Sequence, residues 1–184
     1  MDLLIMIVVN IANIASVWYA AKNDRCTWSI GFVAMTAAAT LFFMSGHYMS
    51  FTFHTYCAIV YIFGYIRWKD STAENDKRIC WGSPYMPLII IALLSVGIYI
   101  FNQVLSNNPW LDSIGTAMSI VAAYLLVKHD INSWLLYLLS DVIYIYLGII
   151  SNNIEYVIIY VIMIILGIYG TREFIIKYRL NKNE

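Results

Sequence analysis

The sequence predicts an all-α membrane protein with seven transmembrane helices. Three observations support this fold class: 61% of the 184 residues are hydrophobic, only 12% are charged, and the mean hydropathy is +0.71. A soluble domain has about a quarter charged residues and about half or fewer apolar ones. The composition therefore excludes an ordinary soluble enzyme and a disordered chain, and its zero net charge excludes a nucleic-acid-binding protein, which needs a basic surplus.

Seven stretches are long and apolar enough to be membrane spans, which need about 20 residues and somewhat fewer within a bundle. In chain order they are 3–21, 27–44, 51–66, 86–102, 112–127, 132–150 and 154–171. Pro84 and Pro87 favour the start of the fourth helix, because proline suits the first helical turn. The Asn-Asn-Pro segment 107–109 separates the fourth and fifth spans. No cleavable signal peptide is expected, since Asp2 rather than a basic residue precedes the first span.

The distribution of positive charge predicts the orientation of the spans. All 11 Lys and Arg residues follow the first, third, fifth and seventh spans, and none lies in the turns around Gly46, Asn107 and Asn152. Because positively charged loops stay in the cytoplasm, we expect the N-terminus outside and the C-terminus in the cytoplasm. The protein is therefore expected to be a multi-pass protein of the cell (inner) membrane.

A repeat at an offset of 106 residues relates the two halves of the chain. Lys22-x-Asp24-x-x-x-Trp28 recurs as Lys128-x-Asp130-x-x-x-Trp134, and the same shift places Gly64 on Gly170. We therefore predict two three-helix repeats joined by the fourth helix (3+1+3). Because that helix crosses the membrane once more, the two repeats run parallel, and we expect a substrate site between them near the bilayer midplane. The predicted divisions are a first repeat at 1–68, a cytoplasmic loop and linker helix at 69–106, and a second repeat with a cytoplasmic C-terminal tail at 107–184.

The sixth span contains the first candidate binding site. Trp134, Tyr137, Asp141, Tyr144 and Gly148 recur at intervals of three and four residues, so they share one helix face. An Asp at the centre of a span costs about 2.5–3.5 kcal/mol, which favours a functional role. The face offers rings for stacking, including on a cationic ring, and one hydrogen-bond acceptor. The alternative is that Asp141 hydrogen-bonds a neighbouring span and Trp134 anchors the helix at the membrane interface.

Polar residues in the first and fifth spans form a second candidate site. Asn10, Asn13 and Ser16 make a polar stripe, and Thr116 and Ser119 occupy the places of Asn10 and Asn13 under the 106-residue shift. This symmetric placement favours a shared central cavity. The alternative is that these polar residues only form hydrogen bonds between helices, each of which contributes about 0.6 kcal/mol.

Several kinds of catalytic and cofactor chemistry lack their motifs. The sequence has no Gly-rich phosphate loop, no His-Glu-x-x-His and no Cys-x-x-Cys, which excludes that mode of ATP binding, metal proteolysis and zinc sites. Cys26, Cys57 and Cys80 are too scattered for a disulfide framework or a metal cluster. A membrane aspartyl protease needs two facing carboxylates, and only Asp141 is deep enough. We therefore expect no enzyme activity, no cofactor and no metal.

The sequence resembles the PnuC family of vitamin transporters over nearly its whole length. The order and spacing of several loose motifs support this resemblance. They are Asp-Ser-Ile-Gly-Thr-Ala-Met-Ser at 112–119, Lys128, Trp134, Asp141, the stretch 144–147 and Gly170-x-x-x-Phe174 in the second half, and Lys22, Trp28, Tyr56 and Gly-Tyr-Ile-Arg-Trp at 64–68 in the first.

This resemblance implies a seven-helix fold like that of SWEET sugar transporters, with a linker helix between two triple-helix bundles. It also implies import of nicotinamide riboside for NAD biosynthesis, with a cytoplasmic kinase as a functional partner that traps the product. In the family, Trp-x-x-Trp and a following Asn or Asp on the sixth helix face the substrate, and Trp134 and Asp141 match that pattern. Two positions depart from it: Tyr137 replaces the second Trp, and Ala123 replaces a Gln.

The residues and the resemblance together predict a uniporter that imports nicotinamide riboside, or a closely similar B-vitamin precursor, by facilitated diffusion with alternating access. The expected partners are this small molecule and the lipid bilayer but no nucleic acid, and a homo-oligomer stays open. The predicted substrate-binding residues are Trp134, Tyr137, Asp141, Tyr144, Asn10, Asn13, Thr116 and Ser119. The alternatives are a thiamine or deoxynucleoside transporter of the same family and a non-transporting membrane scaffold.

Overall fold

The computed structural model is α-helical and describes residues 2–45, 48–68, 79–104 and 108–183. Within these ranges the chain forms seven helices: α1 (Asp2–Ala21), α2 (Cys26–Met44), α3 (Tyr48–Arg67), α4 (Tyr85–Asn102), α5 (Pro109–Val127), α6 (Asn132–Ile150) and α7 (Ile154–Asn183). Five of these described helices, α2 and α4 to α7, are long and apolar enough to cross a membrane, and α1 has a shorter apolar stretch, Ile7–Ala21. The protein is thus a multi-pass membrane protein, as the composition predicts.

The helices coincide with the predicted spans to within a few residues, with one exception. The seventh span was expected to end at 171, but α7 continues to Asn183. The apolar run does end near 171, whereas the following segment alternates charged and apolar helix-forming residues and stays helical. The predicted turn around Gly46 and the segments 69–78 and 105–107 lie outside the described residues.

The chain divides into two compact units, Met1–Lys77 and Arg78–Glu184. In the first unit, α2 packs against both α1 and α3. Trp28 of α2 is 2% exposed, and its ring occupies the space that a side chain at Gly64 of α3 would need. The ring also meets Trp68 edge-on, with centroids 5.1 Å apart. A glycine opposite a large ring lets two membrane helices approach closely, which strengthens their association.

In the second unit, α5 packs against α4 and α6, and α7 packs against α6. Trp134 of α6 repeats the packing of the first unit. It is 1% exposed, a side chain at Gly170 of α7 would lie 2.6 Å from its ring, and Phe174 meets it edge-on at 5.6 Å. The fourth helix, predicted to be a linker, packs on α5, where Ile91 joins a buried apolar cluster.

The turns after α1 and α5 are built alike, each within its own unit. Asn23 and His129 adopt positive φ angles of 60° and 58°. In each turn the next residue is an aspartate whose carboxylate accepts a hydrogen bond from the first residue of the following helix: Asp24 accepts the Cys26 backbone N–H at 2.8 Å, and Asp130 accepts that of Asn132 at 3.0 Å. The equivalent residues of the two turns are 106 residues apart, which is the offset found in the sequence. The parallel 3+1+3 arrangement of the repeats stays a prediction.

The segment before α4 is bonded to the turn after α5. Cys80 exchanges two backbone hydrogen bonds with this turn, at 3.2 and 3.0 Å. The Gly82 N–H donates to the Asp130 carboxylate at 3.3 Å, and the Gly82 carbonyl accepts from the Asn132 side chain at 2.8 Å. A side chain at position 82 would meet the Asp130 carboxylate, which would then have to shift, so glycine favours this contact. The contact fixes one end of the α5–α6 pair within the second unit.

Candidate functional site

Four of the eight predicted residues lie together where α5 packs against α6. The hydroxyls of Thr116 and Tyr144 are 3.0 Å apart, and those of Ser119 and Ser140 are 2.7 Å apart. Asp141 follows Ser140 on α6, one turn before Tyr144, and is 8% exposed. The sequence singled out Thr116, Ser119, Asp141 and Tyr144 from two separate patterns, and the structure brings them into one region of the second unit.

Two tyrosines of α7, which the sequence did not single out, complete this region. Tyr144 stacks on Tyr160, with centroids 4.8 Å apart and planes inclined by 27°, and meets Tyr156 edge-on at 6.1 Å. Tyr156 and Tyr160 contact each other at 4.7 Å. We call Tyr144, Tyr156 and Tyr160 the tyrosine cluster. The helices approach closely here because Gly148 lies against Val157, where a side chain at 148 would be 2.8 Å away.

The Asp141 carboxylate lies within electrostatic range of Tyr156 and Tyr160. Among the described residues, no side chain or backbone N–H donates a hydrogen bond to it. The hydrogen bond to a neighbouring span that the alternative interpretation expects of Asp141 is therefore not present within the described part of the chain. A buried carboxylate normally has a partner, because leaving it unpaired costs free energy. The arrangement is chemically suited to accept hydrogen bonds from a cationic or hydroxyl-bearing ligand.

The other two predicted residues of α6 have different surroundings. Trp134 packs on α7, and its indole N–H has no hydrogen-bond partner among the described residues. Trp28 has the same burial and the same unsatisfied N–H in the first unit. The matching environments favour a packing role for both rings, and the contact of Trp134 with a ligand stays a prediction. Tyr137 is half-buried and packs on the apolar cluster that α4, α5 and α6 share.

The two predicted asparagines of α1, Asn10 and Asn13, are half-buried in the first unit. Ser16, the third member of this polar stripe, is 1% exposed. Its hydroxyl donates to the Thr27 carbonyl at 2.9 Å and lies 3.5 Å from the Tyr61 hydroxyl. Ser16 therefore joins helices by hydrogen bonds, as the alternative interpretation of the stripe expects. A ligand-binding role for Asn10 and Asn13 stays a prediction.

A groove of about 400 Å³ lies between α6 and α7, and none of the eight predicted residues lines it. It is lined by Leu138, Ile168, Thr171, Arg172, Ile175, Ile176 and Arg179. In the described part of the chain, no group of three or more His, Cys, Asp or Glu side chains is placed to hold a metal ion. The Asp141 region and this groove each place charged groups beside apolar or aromatic surface of the second unit.

Comparison with known proteins gives two matches. The protein-family model described as "Nicotinamide mononucleotide transporter" matches residues 3–175. The chain is also similar to a solved structure titled "Crystal structure of the Vitamin B3 transporter PnuC", with a TM-score of 0.73 and 19% sequence identity. This similarity covers 95% of the present chain and 81% of the other chain. At this identity the structural match shows a shared fold.

Proposed function

Because the chain belongs to the nicotinamide mononucleotide transporter family, we propose that it imports nicotinamide riboside, or a closely similar B-vitamin precursor, across the cell (inner) membrane. The family consists of transporters rather than enzymes. The observation that most supports the proposal is the Asp141 carboxylate, which is buried beside the tyrosine cluster without a hydrogen-bond donor in the described chain. Nicotinamide riboside joins a flat cationic ring to a ribose.

The chemistry of the Asp141 region favours the riboside over the mononucleotide. Aromatic faces attract a cationic ring, and a carboxylate accepts hydrogen bonds from an amide or from ribose hydroxyls. A phosphate monoester adds a charge of about −1.5 to −2, which a carboxylate repels and which needs a basic partner. No Lys or Arg occurs in 109–127, 132–150 or 154–171, the membrane-spanning parts of α5, α6 and α7.

The transport mechanism belongs to the same proposal. We propose uniport, in which the two three-helix repeats give alternating access to a midplane site without a coupled ion. The repeated turns after α1 and α5 support an internal repeat, and the family supports transport. The SWEET-like 3+1+3 arrangement, the outside N-terminus and the trapping kinase are further parts of the proposal. Trp134, Tyr137, Asn10 and Asn13 stay in the proposed binding set with Thr116, Ser119, Asp141 and Tyr144.

Ligand-induced stabilisation of the purified protein tests this proposal. A ligand present at 100 times its dissociation constant adds about 2.7 kcal/mol to the free energy of unfolding, so we expect nicotinamide riboside to raise the melting temperature measurably. Nicotinamide, which lacks the ribose, and nicotinamide mononucleotide, which adds the phosphate, should stabilise less at equal concentration. A larger shift with the mononucleotide would contradict the charge argument.

The same screen separates the alternative functions. A shift with thiamine or a deoxynucleoside, and none with nicotinamide riboside, would keep the fold and reassign the cargo. Glucose serves as the control for a carrier that recognises only sugar hydroxyls. Well-folded protein that none of these compounds stabilises would instead favour a non-transporting scaffold.

A further inference from the structure

The groove between α6 and α7 combines two positive charges with an apolar floor. Arg172 and Arg179 are seven residues apart, two turns of α7, so they lie on one face of the helix. The remaining lining residues are aliphatic except for Thr171, whose hydroxyl donates to the Gly167 carbonyl at 2.8 Å. The groove is largely open to its surroundings and has a volume of about 400 Å³.

Within the described part of the chain, neither guanidinium has an ion-pair or hydrogen-bond partner. Both side chains are exposed at the mouth of the groove. A planar guanidinium matches the oxygens of a phosphate group, to which it donates two parallel hydrogen bonds. The chemistry of the groove therefore fits a phosphate group that is attached to an apolar chain.

The length of α7 places these arginines at the edge of the bilayer. The helix has 30 residues, whereas about 20 residues cross a hydrocarbon core of about 30 Å. A span that starts at Ile154 leaves the core at about residue 173, so Arg172 lies at the boundary between acyl chains and headgroups. Arg179 lies about 10 Å beyond Arg172 along the axis of α7, and its long aliphatic side chain lets the guanidinium reach back towards the headgroups. Ile168 and Leu138 lie deeper, among the acyl chains.

We propose that this groove binds an anionic phospholipid of the leaflet at the C-terminal end of α7. Arg172 and Arg179 hold the lipid phosphate, and an acyl chain lies along Leu138 and Ile168. Anionic leaflets attract basic residues beside membrane spans, and the groove adds a fixed geometry to that attraction. The lipid contacts both α6 and α7 next to the packing of Trp134 on Gly170, so its binding stabilises the second unit. This site is separate from the proposed cargo site at Asp141.

To test the proposal, the full-length protein in neutral detergent is titrated with dioctanoyl phosphatidylglycerol. Binding is measured by the change in melting temperature and by native mass spectrometry. The double variant Arg172→Gln/Arg179→Gln should raise the apparent Kd about 25-fold, since each basic residue contributes about a fivefold change in affinity. The matched control Lys177→Gln/Lys182→Gln removes the same charge from α7 outside the groove lining, so its Kd should rise by a clearly smaller factor than that of the arginine variant.

Three outcomes would overturn the proposal. Equal weakening in the two double variants would mean that only the total charge of the segment matters. Equal binding of dioctanoyl phosphatidylcholine would mean that the groove does not select an anionic headgroup, and equal stabilisation by inorganic phosphate would mean a free-anion site. If the glutamine variant fails to fold, Arg172→Lys/Arg179→Lys keeps the charge but loses the paired hydrogen bonds, so its affinity should still fall by more than that of the control.

Discussion

Replacement of Trp134 by alanine is expected to lower the free energy of unfolding by about 3 kcal/mol. The ring is 1% exposed and is enclosed by Gly170 and Phe174, so its removal leaves a cavity that the rigid helices fill only in part. Lipid tails are as apolar as the protein interior, and the loss therefore comes mainly from missing packing contacts. Thermal or denaturant unfolding in detergent measures the change.

Two further variants control this experiment. Trp28→Ala removes the equivalent ring of the first unit and should destabilise the protein by a similar amount. Leu139→Ala, on the same helix as Trp134 but 54% exposed, should change stability little. If Trp134→Ala unfolds like the native protein yet no longer binds nicotinamide riboside, the ring is a ligand contact, as the family resemblance implies, and the packing interpretation is wrong.

Asp141→Asn is expected to weaken the binding of nicotinamide riboside by about 10- to 100-fold while it leaves the fold intact. The substitution keeps the size of the side chain and breaks no hydrogen bond formed within the described chain. It removes the negative charge that would accept hydrogen bonds from the cargo, and a hydrogen bond to a charged group contributes about 1.5–3 kcal/mol. Titration of the melting temperature with the riboside measures the change in Kd.

The matched control for Asp141→Asn is Glu155→Gln, which also removes one negative charge. Glu155 is exposed in the first turn of α7, where solvent screens its charge, so its substitution should change the Kd by less than about threefold. If Asp141→Asn binds the riboside with unchanged affinity, the Asp141 carboxylate does not contact the cargo. A drop in thermal stability in the absence of ligand would instead assign it a role in packing.

The positions of the helices follow from hydropathy because membrane spans must be apolar over a nearly fixed length. Hydropathy does not report where a helix ends once it has left the membrane, which is why the continuation of α7 to Asn183 was not predicted. The pattern Lys-x-Asp-x-x-x-Trp identified two equivalent turns, because in each the aspartate accepts the backbone N–H two residues on and the tryptophan is buried in the helix that follows.

The candidate site was only partly predictable, because residue spacing fixes the side of a helix and not its neighbour. Trp134 and Tyr144 share a broad face of α6, yet Trp134 packs on Gly170 whereas Tyr144 bonds to Thr116 and stacks on Tyr160. The spacing of four residues between Tyr156 and Tyr160 was the one available signal for the α7 tyrosines. In a chain with 15 tyrosines such a spacing is not distinctive.

Uptake of labelled nicotinamide riboside into proteoliposomes that contain only this protein tests the central claim most directly. With no ion gradient, we expect saturable uptake that proceeds to equilibrium and is inhibited more strongly by unlabelled riboside than by nicotinamide mononucleotide. Asp141→Asn should reduce the initial rate at limiting riboside by about tenfold or more. Uptake no faster than into empty liposomes, with well-folded protein, would contradict a transport function for this cargo, and preferential uptake of the mononucleotide would contradict the proposed selectivity.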